Sequence, residues 1–152
     1  MSKLNSKTSV GCLVKCAEDL VLVYEKQNAT ITWDIPAGAI ESDETPEQAI
    51  RRELNEEIGL LADDNLRLVK IFWTSIDKIP TVHFLYEIVV DEITCQQLRS
   101  NTADIQKIER FTYTKIQKLI DTKAYEHNLA KARLQIFLND PDIGTQHICL
   151  VD

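Results

Sequence analysis

The stretch Arg51–Leu60, RRELNEEIGL, carries three carboxylates, Glu53, Glu56 and Glu57. On a helix they stand at i, i+3 and i+4 and share an arc of about 100°. Carboxylates spaced this way repel one another on an exposed helix, and more strongly where water is excluded. They also lie in the last half of the helix, where the macrodipole disfavours anions. Ile50, Leu54 and Ile58 fall roughly 60° to 140° around from Glu53, so the acidic arc borders the apolar stripe. Helix stability alone does not select this arrangement, and a cation is expected beside it. Arg52, about 100° from Glu53, is expected to brace one carboxylate and not three. Clustered oxygen ligands suit Mg2+ or Mn2+, which bind a few carboxylates, waters and substrate phosphates. The plain alternative is a solvated acidic face.

The surroundings decide against that alternative. From Gly38 the segment reads GAIESDETPEQAIRRELNEEIGL. It matches G-x5-E-x7-R-E-U-x-E-E-x-G-U, with U aliphatic, at Gly38, Glu44, Arg52, Glu53, Leu54, Glu56, Glu57, Gly59 and Leu60. This pattern is the Nudix box, and the chain resembles a Nudix hydrolase. The resemblance implies an enzyme that uses Mg2+ or Mn2+ to cleave a diphosphate joined to another moiety. It implies Glu53, Glu56 and Glu57 as metal ligands, joined by the Gly38 carbonyl. Arg52 would hold a box glutamate, and Glu44 would organise the loop-to-helix junction or meet a metal through water. Metal ions neutralise phosphate oxygens and lower the pKa of bound water, and a carboxylate then takes the water's proton. Across the family that base is a box glutamate or an acid in a loop beyond the sheet. In SNTADIQKIER the candidate is Asp104, which precedes IERF, with Glu109 ranked behind it.

One departure stands out. Many family members read P-G-G before the acidic loop, whereas this chain reads Pro36-Ala37-Gly38. Alanine takes positive φ less freely than glycine, so an altered loop shape is expected, with metal binding retained. The box does not choose the substrate. A proline about 16 residues past it marks ADP-ribose members, and here that position is Ser75. A tyrosine about 17 past it marks dinucleoside polyphosphate members, and here that position is Asp77. PAGAIESDET followed by FWTSIDKIPTVHFLYEI resembles small bacterial Nudix phosphatases acting on nucleoside di- and triphosphates and on a thiamine-precursor pyrophosphate. The expected substrate is therefore a small diphosphate. The alternatives are an ADP-ribose or nucleotide-sugar pyrophosphatase, or a non-catalytic nucleotide-sensing domain. The complete box argues against the sensor. Trp33, Trp73, Phe72 and Tyr86 are flat surfaces for a base, though alternation turns about half of such residues to the core. Trp33, just before the catalytic loop, is the expected substrate contact.

The elements that must position these groups can be read from patterning. Thr45 is an N-cap with Gln48 completing a capping box, Pro46 suits the first turn and Gly59 the end. A helix over about Pro46–Ile58 follows. TSVGCLVKCAEDLVLVYEK reads as two strands around Ala17-Glu18-Asp19, and ITWDIPAG as a short β segment. LRLVKIFWTS and TVHFLYEIVV read as two strands joined around IDKIP, and IERFTY as another. TKIQKLIDTK and YEHNLAKARLQIFL have helical spacing, with Leu129, Arg133 and Phe137 near one face. The expected fold is α/β (α+β): an α/β/α sandwich, a mixed sheet between helices, as one domain over residues 1–152.

The 152 residues are 44% hydrophobic, with no apolar run long enough for a membrane span and no secretory leader, so a cytoplasmic protein is expected. A net charge of −7 repels long nucleic acid. Lys123, Lys131 and Arg133 are too sparse for an RNA track, and a solvated helix face accounts for them. Cys12, Cys16, Cys95 and Cys149 form no C-x-x-C pair and read as reduced, mostly buried thiols. His83, His127 and His147 show no ligand spacing. Many family members form homodimers, and nothing in this sequence decides oligomeric state.

Overall fold

A computed structural model describes residues 7–27, 30–76, 78–126, 129–141 and 150–151. The strands are β1 (Lys7–Cys16), β2 (Asp19–Gln27), β3 (Thr30–Asp34), β4 (Ala37–Ala39), β5 (Arg67–Ile76), β6 (Ile79–Val90), β7 (Ile105–Phe111) and β8 (Leu150–Val151). The helices are α1 (Pro46–Ile58), α2 (Glu92–Gln97), α3 (Tyr113–Ile120) and α4 (Leu129–Asn139). The strands form one mixed sheet in the order β3-β2-β1-β6-β5-β8, with β4 added to β1 and β7 to β2. β1 and β6 run parallel from Lys7↔Thr81 to Cys16↔Val90. β1 meets β2 only near their turn, at Lys15↔Leu20 and Cys16↔Asp19. Further back, β4 pairs with β1 through Ser9↔Ala39, Val10↔Gly38 and Gly11↔Ala37. The segment between β3 and α1 is thereby drawn against the central strand.

Strand alternation gives the sheet two apolar faces. Val10, Cys12 and Val14 of β1 pack with Ile50, Leu54 and Ile58 of α1. Leu13 faces the other way and joins Leu20, Leu22, Leu85, Ile116, Leu134 and Phe137. Leu54 and Leu134 are both fully buried, a placement that contributes roughly 1.5–3 kcal/mol each. Among the described residues, no helix is long and apolar enough to cross a membrane.

Helix α1 follows from its local sequence. The Thr45 hydroxyl accepts the Gln48 N–H, and the Gln48 side chain accepts the Thr45 N–H, which completes the capping box. At the other end Gly59 adopts φ 67°, and the N–H groups of Gly59 and Leu60 close onto the Asn55 and Leu54 carbonyls. A Cβ on Gly59 would lie 2.5 Å from the Arg99 carbonyl oxygen. Gly59→Ala therefore combines a left-handed backbone with a clash against rigid main chain. It should destabilise the protein by about 2 kcal/mol or more in denaturant melts.

Two expectations need correction, on the cysteines and on Arg133, and one helix was unforeseen. The segment Glu92–Gln97 is helical, although its six residues include no buried one and show no apolar periodicity. Ala37 opens β4 without a positive φ, in keeping with alanine's reluctance to take one. Cys16 and Cys95 are not free thiols but a disulfide, joining the end of β1 to α2 across 79 residues. Parallel pairing of β1 with β6 brings Cys16 beside Val90, from which α2 immediately follows. Arg133 does not belong to a solvated face, because α4 turns it inward to 8% exposure. Cys12 is a free, buried cysteine whose thiol is pushed well above its ordinary pKa by burial, and Cys149 lies outside the described residues.

Candidate active site

The loop Ile35–Gly38 and helix α1 build the site together. Ile35 is buried, and the Pro36 carbonyl accepts the Cys12 N–H at 3.0 Å, which pins the loop to β1. The Ala37 N–H donates to Glu57 Oε2 at 3.3 Å. Gly38 lies so close to Glu53 that a Cβ would stand 2.0 Å from Oε1. Glycine is thus required at position 38 for close approach to the helix.

The three box glutamates are not equivalent. Glu53 and Glu57 are buried at 8% and 5% exposure, whereas the Glu56 side chain is 50% exposed. Glu53 and Glu57 lie nearer the Ile50–Leu54–Ile58 stripe, and Glu56 is rotated towards solvent. Burial raises the pKa of Glu53 despite the opposing Arg52 guanidinium. Glu57 is pushed up from 4.5 to about 9, first by burial, then by the charges of Glu25 and Glu53, with Asp34 adding to them. The Ala37 N–H opposes this shift. Among the described residues, no cationic side chain reaches the Glu57 carboxyl. Burial and the neighbouring carboxylates together favour the protonated form of Glu57.

Arg52 braces more than the one carboxylate expected of it. Its Nε and Nη2 donate to the two oxygens of Glu44 at 2.6 and 3.1 Å. Nη1 donates to Glu53 Oε1 at 2.7 Å and reaches Glu56 Oε2 at 3.5 Å, and Nη2 also donates to the Ala39 carbonyl at 3.0 Å. A planar guanidinium with five donors reaches all sides of its plane, which the helical wheel does not represent. Glu44 also accepts the Glu41 N–H at 3.0 Å, closing the turn before α1. These hydrogen bonds, the one from Arg52 foremost, hold the Glu44 pKa below its ordinary value.

The loop after α2 closes the C-terminal end of α1. The Arg99 N–H donates to the Ile58 carbonyl at 3.0 Å and the Asn101 N–H to the Glu56 carbonyl at 2.8 Å. Asn101 Nδ2 donates to the Asn55 carbonyl at 2.8 Å. Asp104 follows as an exposed turn residue directly before β7, its N–H donating to Thr102 Oγ1. Among the described residues its carboxylate touches no box glutamate. Glu109 is ion-paired with Lys115 at 3.5 Å.

Trp33 is partly buried between Tyr24 and Phe111, at centroid distances of 4.8 and 4.9 Å. Phe72 and Tyr86 are core residues, and Trp73 is 46% exposed. His83 is buried, stacked on Phe72, and bonded through Nε2 to Thr74 at 2.9 Å. Burial, aided by the Arg133 charge, pushes its pKa down to about 4. His127 and His147 lie outside the described residues.

The residues present suit a divalent cation. Buried Glu53 stands against Gly38, which leaves no room for a Cβ, and buried Glu57 accepts the Ala37 N–H and, among the described residues, meets no cationic side chain. Among the described residues, however, no three His, Cys, Asp or Glu side chains already form a ligand cage. Sequence reasoning missed Glu25 and Asp34, whose charges act on Glu57 from β2 and from the end of β3. An acid directly before the apolar-and-glycine loop was the signal available for Asp34. For Glu25 no sequence signal stands out.

The fold and the box define a Nudix domain. The chain belongs to this family: the NUDIX domain profile matches residues 5–132. Phosphatase NudJ of Escherichia coli strain K12 is 33% identical over 96 residues, which cover 63% of each chain. The aligned stretch is thus just under two thirds of that relative's length. The fold is shared with the MutT protein of Methanosarcina mazei Go1, at TM-score 0.68 and 14% identity over 93% of this chain and 99% of that one. It is also shared with a bifunctional NMN adenylyltransferase/ADP-ribose pyrophosphatase of Francisella tularensis, solved with AMP and a manganese ion. That match has TM-score 0.70 and 20% identity over 92% of this chain and 43% of that one.

Proposed function

We propose that this protein is a divalent-metal-dependent hydrolase that cleaves the diphosphate linkage of a small nucleoside di- or triphosphate, or a related pyrophosphate, by attack of water. The observation that carries this reading is the pair of buried carboxylates in a complete box, Glu53 against Gly38 and Glu57 on the Ala37 N–H. Glu53, Glu56 and Glu57 would hold the cation, with the Gly38 carbonyl beside them. When bound, Mg2+ or Mn2+ supplies charge neutralisation at the phosphate oxygens and a lowered pKa for water. Glu57 would hold the cation as a carboxylate. Arg52 keeps Glu53 and Glu56 oriented and fastens them to Glu44 and the Ala39 carbonyl. The water's proton passes to a carboxylate, for which half-exposed Glu56 and Asp104 are the candidates. Trp33 borders the loop as the substrate contact. The phosphatase name of the Escherichia coli relative supports a hydrolase that acts on phosphate groups. The cytoplasm is the proposed compartment.

The test is hydrolysis, with the products resolved by anion-exchange chromatography, of nucleoside di- and triphosphates, ADP-ribose, dinucleoside polyphosphates and pyrimidine pyrophosphates. Each is run with Mg2+ and with EDTA, and with inorganic pyrophosphatase in parallel wells. Turnover of a nucleoside di- or triphosphate or a pyrimidine pyrophosphate that EDTA abolishes is the expected result. EDTA-resistant turnover, or turnover of ADP-ribose alone, would overturn the reading in its metal or its substrate part respectively.

A further inference from the structure

We propose that Arg133 is a positioning residue for the Ile35–Gly38 loop, holding both of its ends through Asp34 and Ser9. The proposal rests on the hydrolase reading, since it assigns Arg133 to the service of the same carboxylates. Burying a guanidinium in an apolar stripe is costly unless its donors are matched. The Arg133 side chain is only 9% exposed and that of Asp34 14%. Arg133 Nη1 donates to Asp34 Oδ2 at 2.7 Å, and Nη2 donates to Ser9 Oγ at 2.9 Å. These partners lie 99 and 124 residues away in sequence, on two different strands.

Their places in the fold give the contact its meaning. Asp34 is the last residue of β3, and its Oδ1 accepts the Ile35 N–H at 2.7 Å, so it sets the first peptide of the loop. Ser9 pairs with Ala39, the residue directly after Gly38. One guanidinium therefore grips the entry of the loop and the strand that receives its exit. The same C-terminal region supplies a second anchor. The Tyr125 hydroxyl donates to the Trp33 carbonyl at 2.6 Å and accepts the Trp33 N–H at 2.9 Å. Between these anchors the loop delivers the Ala37 N–H to Glu57 and Gly38 to Glu53. Misplacement of reacting groups by about 1 Å can cost on the order of a hundredfold in rate. Lysine cannot replace this fork, because a single ammonium lacks the planar geometry that serves two acceptors at once.

The experiment compares wild type with R133K, R133M and S9A by Mn2+ titration followed by electron paramagnetic resonance. Thermal melts are run alongside, as are kcat and KM on the substrate that the wild type turns over. R133K is expected to stay folded, to bind Mn2+ about ten- to a hundredfold more weakly and to lose kcat by a similar factor, with KM changed less. S9A should shift in the same direction by a smaller factor. If R133M does not fold, R133K and S9A carry the test. R133K with wild-type Mn2+ affinity and wild-type kcat would overturn the proposal. So would losses that only track the unfolded fraction. A wild type that binds Mn2+ but turns over nothing defeats the hydrolase reading alone, and the Mn2+ titration still decides the role of Arg133. A wild type that binds no Mn2+ defeats both.

Discussion

Glu57→Gln should lose Mg2+-dependent turnover by about a thousandfold or more, equivalent to roughly 4 kcal/mol of transition-state stabilisation, while becoming more stable than wild type in metal-free buffer at neutral pH. The two effects share one cause. Glu57 is buried at 5% exposure, and its pKa rises from 4.5 to about 9. The folded chain keeps a proton that the unfolded chain releases above pH 4.5, so the unfolded state binds fewer protons across this interval. Stability therefore falls as pH rises from 4.5 towards 9, and is unaffected by this group at lower pH. The loss at pH 7 is on the order of 3 kcal/mol. Glutamine has nearly the same shape and does not ionise, so it removes this dependence together with the ligand. In EDTA the variant should melt several degrees above wild type at pH 8 and close to it at pH 4.5. Saturating Mg2+ should raise the wild-type midpoint and leave the variant unmoved, because a ligand that binds only the folded state stabilises it. Wild-type turnover in the variant, or a melting difference that does not vary with pH, would refute the assignment of Glu57.

Gly38→Ala should be a folded protein with a broken site. The added Cβ would stand 2.0 Å from Glu53 Oε1 and 2.3 Å from its Cδ. The obstacle is the far end of a flexible side chain, so Glu53 yields and the backbone survives. In yielding, Glu53 leaves its 2.7 Å hydrogen bond from Arg52 Nη1 and its place against Gly38. Turnover should fall by about a hundredfold or more, and Mn2+ affinity should weaken with it. The thermal midpoint should stay near that of wild type. Gly59→Ala should show the opposite pattern, because its obstacle is the Arg99 carbonyl oxygen, which is backbone. If Gly38→Ala binds Mn2+ like wild type, the close approach of the loop to Glu53 has no role in holding the metal.

Both predictions begin from groups that were visible in the sequence and end in contacts that were not. Helix α1 was legible to the residue because its determinants are local: Thr45 and Gln48 cap one end, Pro46 fits the first turn and Gly59 ends it. The strands around it were legible because nearly continuous apolar runs in β1 and β2 record burial on both faces. The spacing of the box carboxylates was legible for the same reason, since a helix fixes which residues share an arc.

Tertiary structure decided everything that depends on which element packs against which. Glu57 is buried and Glu56 exposed because the Ile35–Gly38 loop covers one side of the acidic arc. Arg133 looked like a surface charge because a helical wheel cannot show that Asp34 and Ser9 wait on the inner side. Cys16 and Cys95 looked like separate thiols because the pairing of β1 with β6 that joins them spans about half of the chain. Helix α2 was missed because a short helix with no buried residue leaves no apolar period to read. The sequence by itself determined the kind of chemistry, since that resides in residue types at fixed local spacing. The protonation of Glu57 and the hold on the catalytic loop depend on low dielectric and on charges brought close from distant positions, and only the assembled fold supplies those.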